Sequence, residues 1–190
     1  MSHKFLFDAN FHLLLTAIDQ EIAKEVQQKG CIYCGNKLHQ ADYPRSPVGL
    51  SSQFRNAYSE RFSFCCNYCR RRITPRSVRF FGRRWYPAPL FMLISVLTVG
   101  ISERRLAQVK RHFGITVSES TWKRWRRWWR DSFESTKFWQ KNKGNVPITI
   151  ESIYRHPRAL LVVFQGLLEE KMRFLLRFLS PLTGGILRAV

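Results

Sequence analysis

A mostly α-helical chain with one small β-element is what the sequence predicts, and three observations predict it. Apolar residues recur at helical spacing over residues 10–28, and helical spacing returns after residue 89. Between those stretches, turn formers and short alternating segments replace it. Four of the five cysteines fall in two C-x-x-C pairs, Cys31-Ile32-Tyr33-Cys34 and Cys66-Asn67-Tyr68-Cys69, which bracket the non-helical part.

The first helix has Phe11, Leu14, Leu15, Ile18, Ile22 and Val26 on its apolar face. Asp8 or Asn10 suits its start and Gly30 its end. It delivers the chain to the first cysteine pair.

Two short pairs far apart in sequence read as a tetrahedral four-cysteine zinc site. Residues 35–65, which separate them, number 31. A compact ribbon has roughly 15–20, so a zinc ribbon with a long inserted loop is expected. Gly35 suits a positive-φ turn after the first pair. Disulfides need an oxidising compartment, and no secretory signal is present: Asp8, Asn10 and His12 break the early apolar run. A redox C-x-x-C belongs near a βαβ pattern, which is absent. The expected ligands are Cys31, Cys34, Cys66 and Cys69 on one structural Zn2+. Cys65 is an alternative to Cys66, which the commoner two-residue spacer favours. His39 is a further substitute. Four thiolates leave no open coordination position, so the metal supports folding and contributes roughly 10–16 kcal/mol of apparent free energy.

Within the ribbon, residues 42–49 are rich in turn formers, and Arg61-Phe62-Ser63-Phe64 alternates like a strand entering the second pair. Residues 70–84 are basic, broken by Pro75 and Gly82, and read as a last hairpin and exit loop.

Pro87 and Pro89 mark a boundary. Three helices are expected beyond it: 90–99, apolar nearly all round; 102–113, with Leu106, Val109 and Phe113 inward; and one from N-cap Ser118 through Trp129, extending toward Gln140. The short Gly-containing turn at 114–117 makes the last two a helix-turn-helix, the third being the recognition helix. On it Trp122, Trp125 and Trp129 fall within about 60° of one another and form an apolar stripe. Arg126, Arg130, Lys123 and Arg127 occupy the adjacent face with Glu119 and Ser120; Trp128 lies to the side and suits packing on the C-terminal helices. The expected segments are thus an N-terminal helix (1–30), a zinc ribbon with basic exit loop (31–86), a helix-turn-helix domain (87–143), and C-terminal helices for oligomerisation or partner binding (144–190).

The 190 residues carry a net charge of +19, while 45% are hydrophobic and 14% aromatic. Such a chain buries a core, and its charge speaks to partners. The charge is concentrated: residues 70–130 hold sixteen Lys/Arg and two acids, Glu103 and Glu119. Nucleic acid is the leading partner and an anionic membrane surface the second. No span is expected. The twelve-residue apolar run at 90–101 is short of the roughly 20 needed, and charges interrupt the run at 159–179. A cytoplasmic, nucleoid-associated location follows.

The stretch 64–129 contains C-C-N-Y-C-R-R-R-I-T-P-R-S-V-R-F-F-G-R-R, then I-S-E-R-R-L-A and W-K-R-W-R-R-W-W. With the order of knuckles, basic loop, buried helix and helix-turn-helix, it resembles the N-terminal DNA-binding region of several bacterial insertion-sequence transposases. It is also similar to uncharacterised bacterial proteins of mobile-element neighbourhoods. The resemblance covers roughly residues 31–130 and implies binding to element DNA, typically at terminal repeats. Such transposases continue into a catalytic domain whose three carboxylates hold two divalent metals. Here the later acids are Asp131, Glu134, Glu151, Glu169 and Glu170 in about 60 residues, too few for that fold.

No H-E-x-x-H, Gly-rich phosphate loop or G-x-S-x-G occurs. Cys65 as a reactive thiol lacks an evident base. The expectation is a zinc-dependent, sequence-specific binder of double-stranded DNA without catalysis of its own. It would be a subunit or regulator, working with a separate transposase or recombinase and dimerising through residues 147–180. Arg70, Arg71, Arg72, Arg76, Arg79, Arg83 and Arg84 would follow phosphates near the ribbon. Lys123, Arg124, Arg126, Arg127 and Arg130 would dock the recognition helix, with Glu119 and Ser120 nearest the bases. The alternatives are an inactive transposase fragment or an RNA-binding component of a ribonucleoprotein, in which Tyr33, Tyr68, Phe80 and Phe81 would stack on bases.

Overall fold

The structure, a computed structural model, describes residues 4–47, 52–80, 87–89, 103–104, 107, 110–111, 118–145 and 157–183. Helix α1, Ala9–Lys29, starts where expected: the Asp8 side chain accepts from the Asn10 backbone N–H at 2.9 Å. A cap of this kind contributes about 1 kcal/mol. Gly30 ends the helix at φ 75° and lies against the next turn, where a Cβ would meet the Gly35 carbonyl oxygen at 2.9 Å.

Five short strands follow. They are β1 (Leu38–Gln40), β2 (Tyr43–Pro44), β3 (Glu60–Arg61), β4 (Phe64–Cys66) and β5 (Arg72–Ile73). β4 lies between β1 and β5, antiparallel to both, with Leu38 opposite Cys66 and Phe64 opposite Ile73. β2 and β3 form a separate two-stranded ladder. Tyr43 and Pro44 therefore pair inside what the sequence presents as loop. Ala23 of α1 packs with Leu38, Phe64, Ile73, Cys31 and Cys66 in one core, so the helix and the three-stranded sheet close over the cysteines.

The expected polar-out alternation before the second cysteine pair is not observed. Arg61 and Ser63 are buried. Arg61 donates to the Pro75 carbonyl at 2.5 Å and lies over the Phe80 ring, while Ser63 receives the Arg72 guanidinium at 3.0 Å.

A second part of this core surrounds buried polar groups on α1. His12 accepts from the Tyr58 hydroxyl at 3.0 Å when it donates to the Leu6 carbonyl at 2.8 Å. Asp19 takes Ser77 Oγ at 2.5 Å, Val78 N–H at 2.7 Å and Arg79 Nε at 2.8 Å. Leu14, expected inward, is exposed; Asp19 is buried instead.

Packing divides the chain into Met1–Pro89 with Leu176–Val190, and Leu90–Leu175. The N-terminal helix and the cysteine-bearing sheet lie in the same unit. The last described residues return to that unit: Thr183 Oγ1 accepts from Ser77 N–H at 2.6 Å and donates to the Ser77 carbonyl at 3.1 Å. Of the described residues beyond 156, 157–175 fall in the second unit and 176–183 in the first.

In the other unit, Ser118 caps α2 (Glu119–Arg127), its hydroxyl accepting from Thr121 N–H at 3.2 Å. One π-helical turn, Trp128–Ser132, follows, and Thr136 caps a new helix, α3 (Lys137–Asn142). The expected single helix toward Gln140 is broken in two. Helix α4 spans Pro157–Val163 and α5 spans Leu168–Leu179. The expected helix 90–99, the turn 114–117, and Phe81, Arg83 and Arg84 lie outside the described residues. Of 102–113, Glu103, Arg104, Ala107, Lys110 and Arg111 are helical. Among the described residues no helix is long and apolar enough to cross a membrane.

Candidate metal centre and basic helix

Each cysteine pair is a tight turn built the same way. In the first, Gly35 N–H donates to the Cys31 carbonyl at 2.7 Å, Cys31 N–H donates to the Asn36 carbonyl at 2.8 Å, and Gly35 has φ 72°. In the second, Cys66 N–H donates to the Arg71 carbonyl at 3.0 Å, and Arg70, in the place of Gly35, has φ 58°. Arg70 thus occupies a conformation that costs a residue with a Cβ roughly 1–2 kcal/mol.

The two turns bring Cys31, Cys34, Cys66 and Cys69 together, with all four sulfurs within 4.8 Å of one another. Cys31 and Cys69 sulfurs are 3.5 Å apart, as are those of Cys34 and Cys66. A tetrahedral ion with bonds of about 2.3 Å needs sulfur separations of about 3.8 Å. The donor set therefore fits one zinc ion. Among the described residues this is the one group of three or more His, Cys, Asp or Glu side chains so placed.

Cys65 lies outside the group because strand residues alternate faces. In β4, Phe64 and Cys66 are buried and Cys65 is not; its sulfur turns to the Arg70 carbonyl at 3.5 Å. His39, opposite Cys65, is exposed and lies outside the group as well.

The electrostatics of the cluster call for a cation. Hydrogen bonding from the Asn36 backbone pulls the Cys34 thiol down to about 6. At Cys69 the Arg71 backbone acts in the same direction, yet burial and the neighbouring Cys31, Cys66 and Cys34 push the group up to about 12. Four thiols this close disfavour full ionisation together, and a divalent ion offsets the mutual repulsion of the thiolates.

The basic residues of this unit diverge. Arg70, Arg71 and Arg76 are exposed. Arg71 stacks over the Tyr33 ring at 4.4 Å. Arg72 is half committed, donating to the Ala41 carbonyl at 2.5 Å. Arg79 does not lie along a phosphate path: it is 3% exposed, paired with Asp19 and bonded to the Ala57 carbonyl. Phe80 is also buried, 1% exposed, so it offers no face to a base. Asp19, which holds Arg79, gave no signal in the sequence beyond an acid among apolar neighbours.

On α2 the pattern is the expected one. Trp122, Trp125 and Trp129 are buried, while Glu119, Ser120, Lys123, Arg124, Arg126, Arg127 and Arg130 are exposed. Trp129 packs against Phe133 at 4.9 Å, and Phe133 against Trp139 at 5.1 Å, which anchors the π-turn. Trp128 lies edge-on to Trp129 at 4.7 Å. Lys123 pairs with Glu119 at 2.8 Å, both ends well exposed. Arg130 holds both oxygens of Asp131, at 2.6 and 3.1 Å, and keeps that carboxyl below its usual range. Arg126 and Arg127 show no acidic partner within ion-pair distance among the described residues. No protein-family model, curated protein or solved structure matches this chain.

Proposed function

We propose that this protein is a zinc-dependent, sequence-specific binder of double-stranded DNA, acting in a mobile genetic element without catalysis of its own. The observation that carries the reading is the two-sided helix Glu119–Arg127: buried Trp122 and Trp125, with Trp129 in the turn that follows, fix one face, and the basic side chains of the other face are exposed. Arg126, Arg127, Lys123 and Arg124 are the docking residues, with Ser120 and Glu119 at the end of the helix that meets base edges. Arg130, held by Asp131, releases a partner before it can reach a phosphate and contributes least.

In the metal-bearing unit, Arg70, Arg71 and Arg76 supply phosphate contacts and Zn2+ supplies the fold. Cys31, Cys34, Cys66 and Cys69 hold the ion, which makes the exposed turns rigid. The likeness to insertion-sequence transposases supports element DNA as the target. It also supports a separate transposase or recombinase subunit as partner, while the mainly apolar sequence of residues 147–180 supports that segment as the dimer surface.

The test is selection of zinc-loaded protein on a random duplex library at fixed moderate salt. A recovered motif, abolished by Arg126→Ala with Arg127→Ala, supports the reading, and its symmetry reports a dimer. Retention without a motif, falling steeply with salt, marks a phosphate-binding polycation and refutes it.

A further inference from the structure

The metal-bearing unit carries exposed rings to which duplex binding gives no role, beside the Arg70 and Arg71 side chains that it does use. Each cysteine turn presents a tyrosine immediately before its second cysteine, Tyr33 and Tyr68, and these are 53% and 75% exposed. Ile32 beside Tyr33 is also exposed, at 52%. None of these three side chains belongs to the buried core that includes the cysteines.

The segments that build the two turns are wholly basic or neutral. No Asp or Glu occurs in residues 26–41 or 61–102, the stretches from which both turns are built. Lys37, Arg70 and Arg71 are exposed beside the tyrosines. The turns are also locked to each other. Asn67 N–H donates to the Lys37 carbonyl at 3.2 Å, and Arg71, leaving the second turn, stacks on Tyr33 of the first. Both turns share the frame of four sulfurs; Arg71 holds the Tyr33 ring, and the Tyr68 ring is the more exposed of the two.

Exposed aromatic rings set among cations are the arrangement that binds unpaired bases: the ring takes the base face and the cations take the phosphates. A duplex hides its base faces, so these rings have no use on paired DNA. We propose that the two cysteine turns form a stacking platform for single-stranded DNA, with Tyr33 and Tyr68 each taking a base and Lys37, Arg70 and Arg71 taking the backbone. The proposal deepens the DNA-binding reading and rests on it. It adds that the target contains an unpaired stretch, read by the metal-bearing unit independently of helix Glu119–Arg127.

The experiment uses the full-length, zinc-loaded protein and fluorescence anisotropy at one salt concentration. The probes are a dT oligonucleotide and a duplex carrying the motif selected above. Tyr33→Ala and Tyr68→Ala should each weaken dT binding by roughly tenfold, while duplex binding is unchanged. Tyr33→Phe and Tyr68→Phe, which keep the ring, should restore it. Both rings are exposed, so zinc content and far-UV circular dichroism should match the parent. Unchanged dT affinity in the double alanine variant overturns the platform, as does a parallel loss of dT and duplex binding. If the parent protein binds duplex but not dT, the platform fails and the duplex reading stands. If it binds neither, both fail.

Discussion

One basic region of this molecule buries some of its arginines, and the other buries none of those described. Between residues 61 and 79, Arg61 and Arg79 are taken into the core, where Asp19, backbone carbonyls and the Phe80 ring receive them. Between 123 and 130 the basic side chains stay in solvent while tryptophans fill the interior. Charge density along a sequence therefore does not report charge at a surface. It does so on α2 because a periodic apolar stripe tells the inward face from the outward one. In the short strands and irregular loops of the first unit no such period exists, and a long guanidinium can turn inward to carbonyls that strands leave unpaired.

The comparison breaks most completely at the metal. Cys66→Ser should abolish stoichiometric zinc binding and unfold the first unit, because the ion contributes roughly 10–16 kcal/mol to sites of this type. Cys65→Ser should retain full zinc content, as metal analysis after gel filtration would reveal. A serine at Cys65 that loses the metal would mean the wrong sulfur has been assigned.

Next is the buried ion pair. Asp19→Ala leaves Arg79 charged and unpaired in the core and should cost about 3–5 kcal/mol, read as a lower midpoint in urea. Arg126→Ala, on the exposed face, should change the midpoint by less than about 0.5 kcal/mol. The same Arg126→Ala change should lower the slope of log affinity against log salt by about 1 for duplex DNA.

The pH dependence sharpens the first region alone. Burial lowers the basicity of His12 below its ordinary value of 6.5. As pH falls, the unfolded chain takes up the proton first. The contribution of the neutral imidazole is thus full above about pH 6.5 and is lost as pH falls through that value toward the lowered folded one. Thermal unfolding at pH 7.5 and 5 should show a drop, and His12→Gln should reduce it. The smallest effect is at Arg70→Gly. Relief of the positive-φ conformation is offset by a more flexible unfolded chain, for a net gain of a few tenths of a kcal/mol.

Much of the architecture could be read from side-chain periodicity and spacing. Phe11, Leu15, Ile18 and Ile22 are inward on α1, Asp8 and Gly30 bound it, Ser118 caps α2, and four cysteines converge. What could not be read depends on partners distant in sequence. Asp19 and Arg79 are 60 residues apart. His12 finds Tyr58 across 46 residues, and Thr183 finds Ser77 across 106. A local pattern carries no record of such pairings. The break after α2 escaped for a related reason: Phe133 and Trp139 fold back on Trp129, and that aromatic packing outweighs a continuous helical spacing.

The bonds between Thr183 and Ser77 make the first unit discontinuous in the chain. At ribosomal rates of about 5–20 residues per second, its closing strap is made roughly 5–20 s after the surface it fastens. The cysteine turns can load zinc early, but the unit waits with Ser77 unfastened while the whole of Leu90–Leu175 is synthesised. During that interval a metal held by the four cysteines would be what secures the half-built core, so zinc added during synthesis should protect the protein more than zinc added after folding.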